Sequence, residues 1–128
     1  LIIINADVIT DLKIQSMLNF HIENKFDITI GGMIHEYQIP FGVLSIKNQK
    51  LKQINEKPTI SNLVNAGIYV LSNKVLDIKK KQKISMVDLI QKNKKMGKEI
   101  GVFPMHENWI DVGSKINLDK AKTYMKKK

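Results

Sequence analysis

The sequence predicts an α/β fold with a mixed, mostly parallel sheet. Two features of its patterning carry that expectation. β-branched and apolar runs (Leu1–Ile4, Val64–Leu71, Ile100–Met105) alternate with stretches whose apolar residues recur at helical spacing, as Ile14, Met17, Leu18 and Ile22 do. A single hairpin pattern, Gly42–Ile46 and Leu51–Ile54 around the polar turn Lys47-Asn48-Gln49-Lys50, interrupts the alternation. A length of 128 residues is enough for one domain with a core and too short for two, so residues 1–128 are expected to form a single domain.

Taken in order, Leu1–Ile4 has the continuous apolar pattern of a strand buried on both faces, which belongs in the middle of a parallel sheet. That placement leads to the expectation of further sequence upstream. A helix follows from about Lys13 to Asn24, with Asp11 as its cap. Asp27–Ile34 reads as a second strand ending near Gly31-Gly32, and His35–Pro40 as a loop. Glu56-Lys57-Pro58 breaks the strand pattern, because proline lacks a donor and restricts the residue before it. The strand Val64–Leu71 precedes a short helix near Asn73–Ile78 and a second from Ser85 to Lys95 that stops at Gly97. After the strand Ile100–Met105, Trp109–Gly113 is a short segment, and Ser114 is placed to cap a last helix reaching about Met125. No repeat or linker interrupts the chain.

Composition narrows the function classes. No cysteine is present, which excludes disulfides and cysteine-based zinc sites. No apolar run approaches the roughly 18 residues of a membrane helix. The expected setting is cytoplasmic, with no membrane partner. The net charge of +9 raises nucleic acid as a partner, but all 21 basic residues are lysine. Arginine, the usual bidentate reader of bases and phosphates, is absent, and many lysines stand in solvent-type runs such as Lys94-Lys95. No nucleic-acid role is expected.

Three places carry candidate chemistry. Asp7 directly follows the first strand, at the carboxyl end where open α/β sheets bind ligands; taken alone it reads first as a turn aspartate capping the next element. Asp111 lies among apolar neighbours in Trp109-Ile110-Asp111-Val112-Gly113, so its carboxylate needs a partner. A metal ion answers that need, and so does an N-cap role or a hydrogen bond to backbone with Gly113 providing a turn. Glu56-Lys57 and Asn65-Ala66-Gly67 combine a carboxylate, an amide and a lysine, which suit sugars and phosphates, with residues that also serve turns. His21, His35 and His106 have no metal-ligand spacing and are expected to be structural. No Ser-His-Asp set or P-loop appears.

Taken in sequence order, these pieces resemble the nucleoside-triphosphate transferase family, the sugar-1-phosphate nucleotidyltransferases of the mannose-1-phosphate guanylyltransferase type. The resemblance runs through Leu1–Asp7, Ile39-Pro40-Phe41-Gly42-Val43, Glu56-Lys57-Pro58, Val64–Val70, Phe103–Glu107 and Trp109–Gly113. It implies the C-terminal part of a Rossmann-like (GT-A type) three-layer domain. It also implies transfer of a nucleotidyl group from an NTP, GTP among the candidates, to a sugar 1-phosphate with release of pyrophosphate. Under it Asp7 and Asp111 ligate Mg²⁺, Lys57 holds the sugar phosphate, and Glu56, Asn65 and the backbone at Gly42 and Gly67 contact the sugar. The sequence departs from the family at Ala6, usually Gly, at Phe41 and Asn108, often Tyr, and at His35, often Arg. The glycine-rich loop that grips the triphosphate in the family matches nothing here. The chain alone is therefore expected to be inactive, and either to associate through its truncated sheet edge, to be stabilised by a partner or to be one segment of a longer polypeptide. The alternative is a non-catalytic module derived from the family that binds a sugar nucleotide or a protein.

Overall fold

A computed structural model describes residues 1–76, 83–113 and 115–125. In chain order the elements are β1 (Ile2–Ile4), β2 (Val8–Thr10), α1 (Ile14–Glu23), β3 (Ile28–Gln38), β4 (Val43–Lys47), β5 (Lys50–Asn55) and β6 (Thr59–Leu71). A 3-10 turn at Asn73–Val75, α2 (Met86–Lys95), β7 (Ile100–Met105), β8 (Trp109–Asp111) and α3 (Lys115–Met125) complete them. The expected end of a helix at Ile78 and the cap at Ser114 fall outside the described residues.

The chain forms two compact units, residues 1–33 with 65–128, and residues 34–64. The first holds a mixed sheet. Strands follow the order β1-β6-β3-β7, with β3 and β7 parallel and β1 and β6 antiparallel. Period-2 alternation sorts the side chains of β6 to the two faces. Ala66, Ile68 and Val70 meet Met17, Ile14 and Leu18 of α1, whereas Leu71 joins Ile28 under Met86, Leu89 and Ile90 of α2. A helix therefore covers each face, which gives three layers. Met17, Ile28 and Ile68 are fully buried, each contributing about 1.5–3 kcal/mol of transfer free energy.

Four expectations are corrected. β1 pairs antiparallel with β6 instead of running parallel to its neighbour, and among the described residues only Ile3 of its three is half-buried. Asp11 does not cap α1: Lys13 takes the N-cap position without a side-chain bond, because Asp11 belongs to the turn leaving β2 and its N–H donates to Asn108 O at 3.1 Å. β3 continues through the expected loop to Gln38, and β6 starts at Thr59, five residues before the apolar run. The helix expected from Ser85 starts one residue later, with Ser85 as its N-cap, the Oγ accepting the Asp88 N–H at 3.1 Å.

The second unit contains the expected hairpin of β4 and β5. Lys47 pairs with Lys50, and Asn48 and Gln49 between them have φ of 48° and 64°, as a primed two-residue turn requires. Among the described residues no helix is long and apolar enough to cross a membrane.

His21 of α1 is buried in the first unit. Its Nδ1 lies 2.8 Å from Thr29 Oγ1 and its Nε2 3.5 Å from Ser72 Oγ, which itself donates to Phe26 O at 3.2 Å. Burial first, then the positive charge of the chain's amino terminus, hold His21 below its usual pKa, and Asp27 opposes them. The unfolded chain thus binds a proton more readily than the folded one, so stability is full above about pH 6.5 and declines as pH falls through that value. The unfolding midpoint is expected to drop between pH 7.5 and pH 5 by more in the wild type than in His21→Gln, which loses this term. Equal drops would assign the pH dependence to other groups.

Candidate active site

The sequence places Asp7 and Asp111 104 positions apart, and the first unit brings them together through a short ribbon. β2 and β8 pair antiparallel with Val8 opposite Asp111, and the Val112 N–H donates to Asp7 O at 2.8 Å. Neither three-residue strand is long enough to show a period in sequence, so only the resemblance anticipated the meeting. Asp7 is exposed and Asp111 half-buried. Asp111 Oδ1 accepts the Gly113 N–H at 2.7 Å, which is the backbone partner that its apolar neighbours demanded. A Cβ added at Gly113 would lie 2.9 Å from Asp111 Oδ1 and 3.6 Å from Asp7 Oδ2, so both carboxylates border the same bare stretch of backbone.

These residues fit a hard divalent cation. Both offer anionic oxygens, and one N–H bond leaves most of the lone pairs of Asp111 free. Among the described residues no third His, Cys, Asp or Glu completes a cluster. A pair of carboxylates with positions left for water and phosphate oxygens suits Mg²⁺, which sheds its waters reluctantly and rarely takes an all-protein cage.

Asn65 and Gly67 lie in the same unit, and hydrogen bonds tie them to Asn5, two residues before Asp7. Gly67 has φ of +72°, a left-handed conformation inside β6. Its N–H donates to Asn65 Oδ1 at 3.0 Å, and the Asn5 N–H donates to Gly67 O at 2.8 Å, two residues before Asp7. Asn65 Nδ2 also donates to Tyr69 Oη at 2.8 Å, so its amide is oriented yet keeps one N–H and one lone pair. The Trp109 indole donates to Ala66 O at 2.8 Å and ties β8 to β6. Sequence reasoning missed Asn5 and Trp109 as supports, although their adjacency to Asp7 and Asp111 marked them.

Gly42, Glu56 and Lys57 belong to the second unit. A Cβ at Gly42 would lie 2.8 Å from Glu56 Oε2, so the bare backbone there admits the carboxylate. Lys57 is exposed and left-handed, with φ of +45°, an uncommon conformation for a side-chain-bearing residue. Its N–H donates to Phe41 O at 3.2 Å and its carbonyl accepts Gln38 Nε2 at 3.1 Å, which hold it there. Lys57 and Asp7 thus occur in separately described units.

A three-layer α/β unit with two carboxylates beside the carboxyl end of its first strand defines a fold suited to phosphate chemistry. The chain belongs to the nucleotidyl transferase family, whose family model matches residues 1–128. It is 32% identical over 134 residues to the bifunctional protein GlmU of Methanococcus aeolicus, covering 98% of this chain and 32% of that protein. It is 29% identical over 115 residues to a mannose-1-phosphate guanyltransferase of Yarrowia lipolytica, covering 87% of this chain and 32% of the relative. The chain therefore spans about a third of the length of these curated relatives. Its fold matches the crystal structure of HddC from Yersinia pseudotuberculosis with a TM-score of 0.66 and 21% identity, over 97% of this chain and 54% of that one.

Proposed function

We propose that the polypeptide carrying these residues transfers a nucleotidyl group from an NTP to a sugar 1-phosphate, releasing pyrophosphate, and that this chain supplies the cation-binding and sugar-facing part of that domain. The observation that carries the reading is the convergence of Asp7 and Asp111 on the backbone at Gly113. A sugar 1-phosphate oxygen attacks the α-phosphorus, the bond to the β-phosphate bridging oxygen breaks, and pyrophosphate departs. Asp7 and Asp111 would hold Mg²⁺, which when bound neutralises phosphate oxygen charge. Asn65, oriented by Gly67 and Tyr69, offers an N–H to a sugar hydroxyl. Glu56 accepts from hydroxyls, and Lys57 binds the sugar phosphate as a point charge. Mannose 1-phosphate and GTP are the proposed pair, supported by relatives named for that activity, and a cytoplasmic setting belongs to the same reading. The test is pyrophosphate release by the polypeptide across a panel of NTPs and sugar 1-phosphates. Turnover with at least one pair is expected; none with any pair would overturn the reading.

The left-handed backbone of Lys57 permits a separate check. In that conformation a side chain costs about 1–2 kcal/mol, while a glycine there adds roughly 0.5–1 kcal/mol of unfolded-state entropy. Lys57→Gly should leave the denaturation midpoint nearly unchanged or slightly raised, yet raise the KM for sugar 1-phosphate about tenfold or more. An unaltered KM would remove Lys57 from the site.

A further inference from the structure

The ribbon that brings Asp7 and Asp111 together is fastened at its other end by side chains of Asp11, Asn108 and Tyr124. Tyr124 Oη, on α3, donates to Asp11 Oδ2. Asn108 Nδ2 donates to the same oxygen at 3.0 Å and lies 3.3 Å from Tyr124 Oη. Thr10 Oγ1 donates to Asn108 O at 2.8 Å and accepts the Leu12 N–H at 3.1 Å. β2 and β8 are three residues each, and a two-stranded ribbon of that length has little stability of its own.

We propose that Asp11, Asn108 and Tyr124 are positioning residues: they form a clamp that fixes the register in which Asp7 and Asp111 meet. The inference rests on the reading of those aspartates as a divalent-cation site. A slip of one residue moves a strand by about 3.3 Å and turns its side chains to the other face. Metal–ligand distances keep within about 0.2 Å of their preferred values. Even partial fraying of β8 at its Asp111 end therefore separates the carboxylates, while the four-stranded sheet and the core cluster around Ile28 and Leu71 remain intact. The Val112 N–H bonded to Asp7 O reports the closed register directly.

The test uses the 128-residue chain and the variants Tyr124→Phe, which keeps the ring, and Asn108→Ala, which removes the amide. Two quantities are measured beside the thermal midpoint: hydrogen exchange of the Val112 amide, and the dissociation constant for Mn²⁺ by paramagnetic resonance. In both variants exchange should quicken about tenfold or more and Mn²⁺ should bind about tenfold more weakly, with the midpoint moving only a few degrees. Unchanged Mn²⁺ affinity in the variants, beside a wild type that binds saturably, overturns the clamp alone. So does unchanged Val112 exchange. A wild type with no saturable Mn²⁺ site, or one whose affinity survives the double change of Asp7 and Asp111 to Asn, overturns the carboxylate reading and the role of the clamp with it.

Discussion

Gly67→Ala should lower the unfolding free energy by about 2–4 kcal/mol, read from the shift in denaturant midpoint at constant slope. Two causes add. At φ of +72° a Cβ costs about 1–2 kcal/mol. The new Cβ would also lie 2.7 Å from Nδ2, 2.9 Å from Cγ and 3.1 Å from Cβ of Asn5, so the whole Asn5 side chain has to move. Gly97 provides the control. Its φ is +76°, but nothing lies within 4 Å of an added Cβ. Gly97→Ala should therefore show the backbone cost alone, and the excess at Gly67 measures the contact with Asn5. A coupling of about 1 kcal/mol between Asn5→Ala and Gly67→Ala would confirm the source. Equal losses at Gly67 and Gly97 would refute it. Because Asn5 leads into Asp7, the same substitution should also weaken the cation site.

Asp111→Ala has the largest expected effect on activity. In the polypeptide that carries this chain, turnover should fall about 10³-fold, the scale set by several kcal/mol of lost charge neutralisation at the transferring phosphorus. Folding should suffer less. The lost carboxylate partners one backbone N–H, that of Gly113, which is exposed and can turn to water. A turnover reduced only in proportion to the folded fraction would assign Asp111 the bland role, an acceptor that shapes the turn at Gly113.

The fold was legible where periodicity runs long. α1, the apolar half of β6, β7 and α2 appear within a few residues of their expected bounds, because each presents a continuous face to one of the two core clusters. Strand order was not legible. The apolar run at Leu1–Ile4 spoke for a strand with parallel neighbours, but apolar composition does not encode a neighbour's direction, and β1 pairs antiparallel with β6. β2 was invisible because its three residues show no period, and its pairing with β8 is set by contacts about a hundred residues away, among them Thr10 Oγ1 to Asn108 O. In the site, Asp7 and Asp111 each admitted a turn reading when taken singly. The hydrogen bonds of Gly113 and Val112 show that the turn contacts exist and that they bring the two carboxylates to one place. Lys57 gave no hint of its left-handed backbone, since proline after it restricts the residue but does not select that region.

The most direct measurement is a crystal of the chain soaked in Mn²⁺, with anomalous scattering recorded to locate the ion. A single strong peak contacted by the carboxylates of both Asp7 and Asp111, and lost in Asp111→Asn, is the expected result. A saturating soak that leaves no peak there, or places the ion against other residues with Asp7 and Asp111 apart, would contradict the assignment of these two aspartates as the cation site.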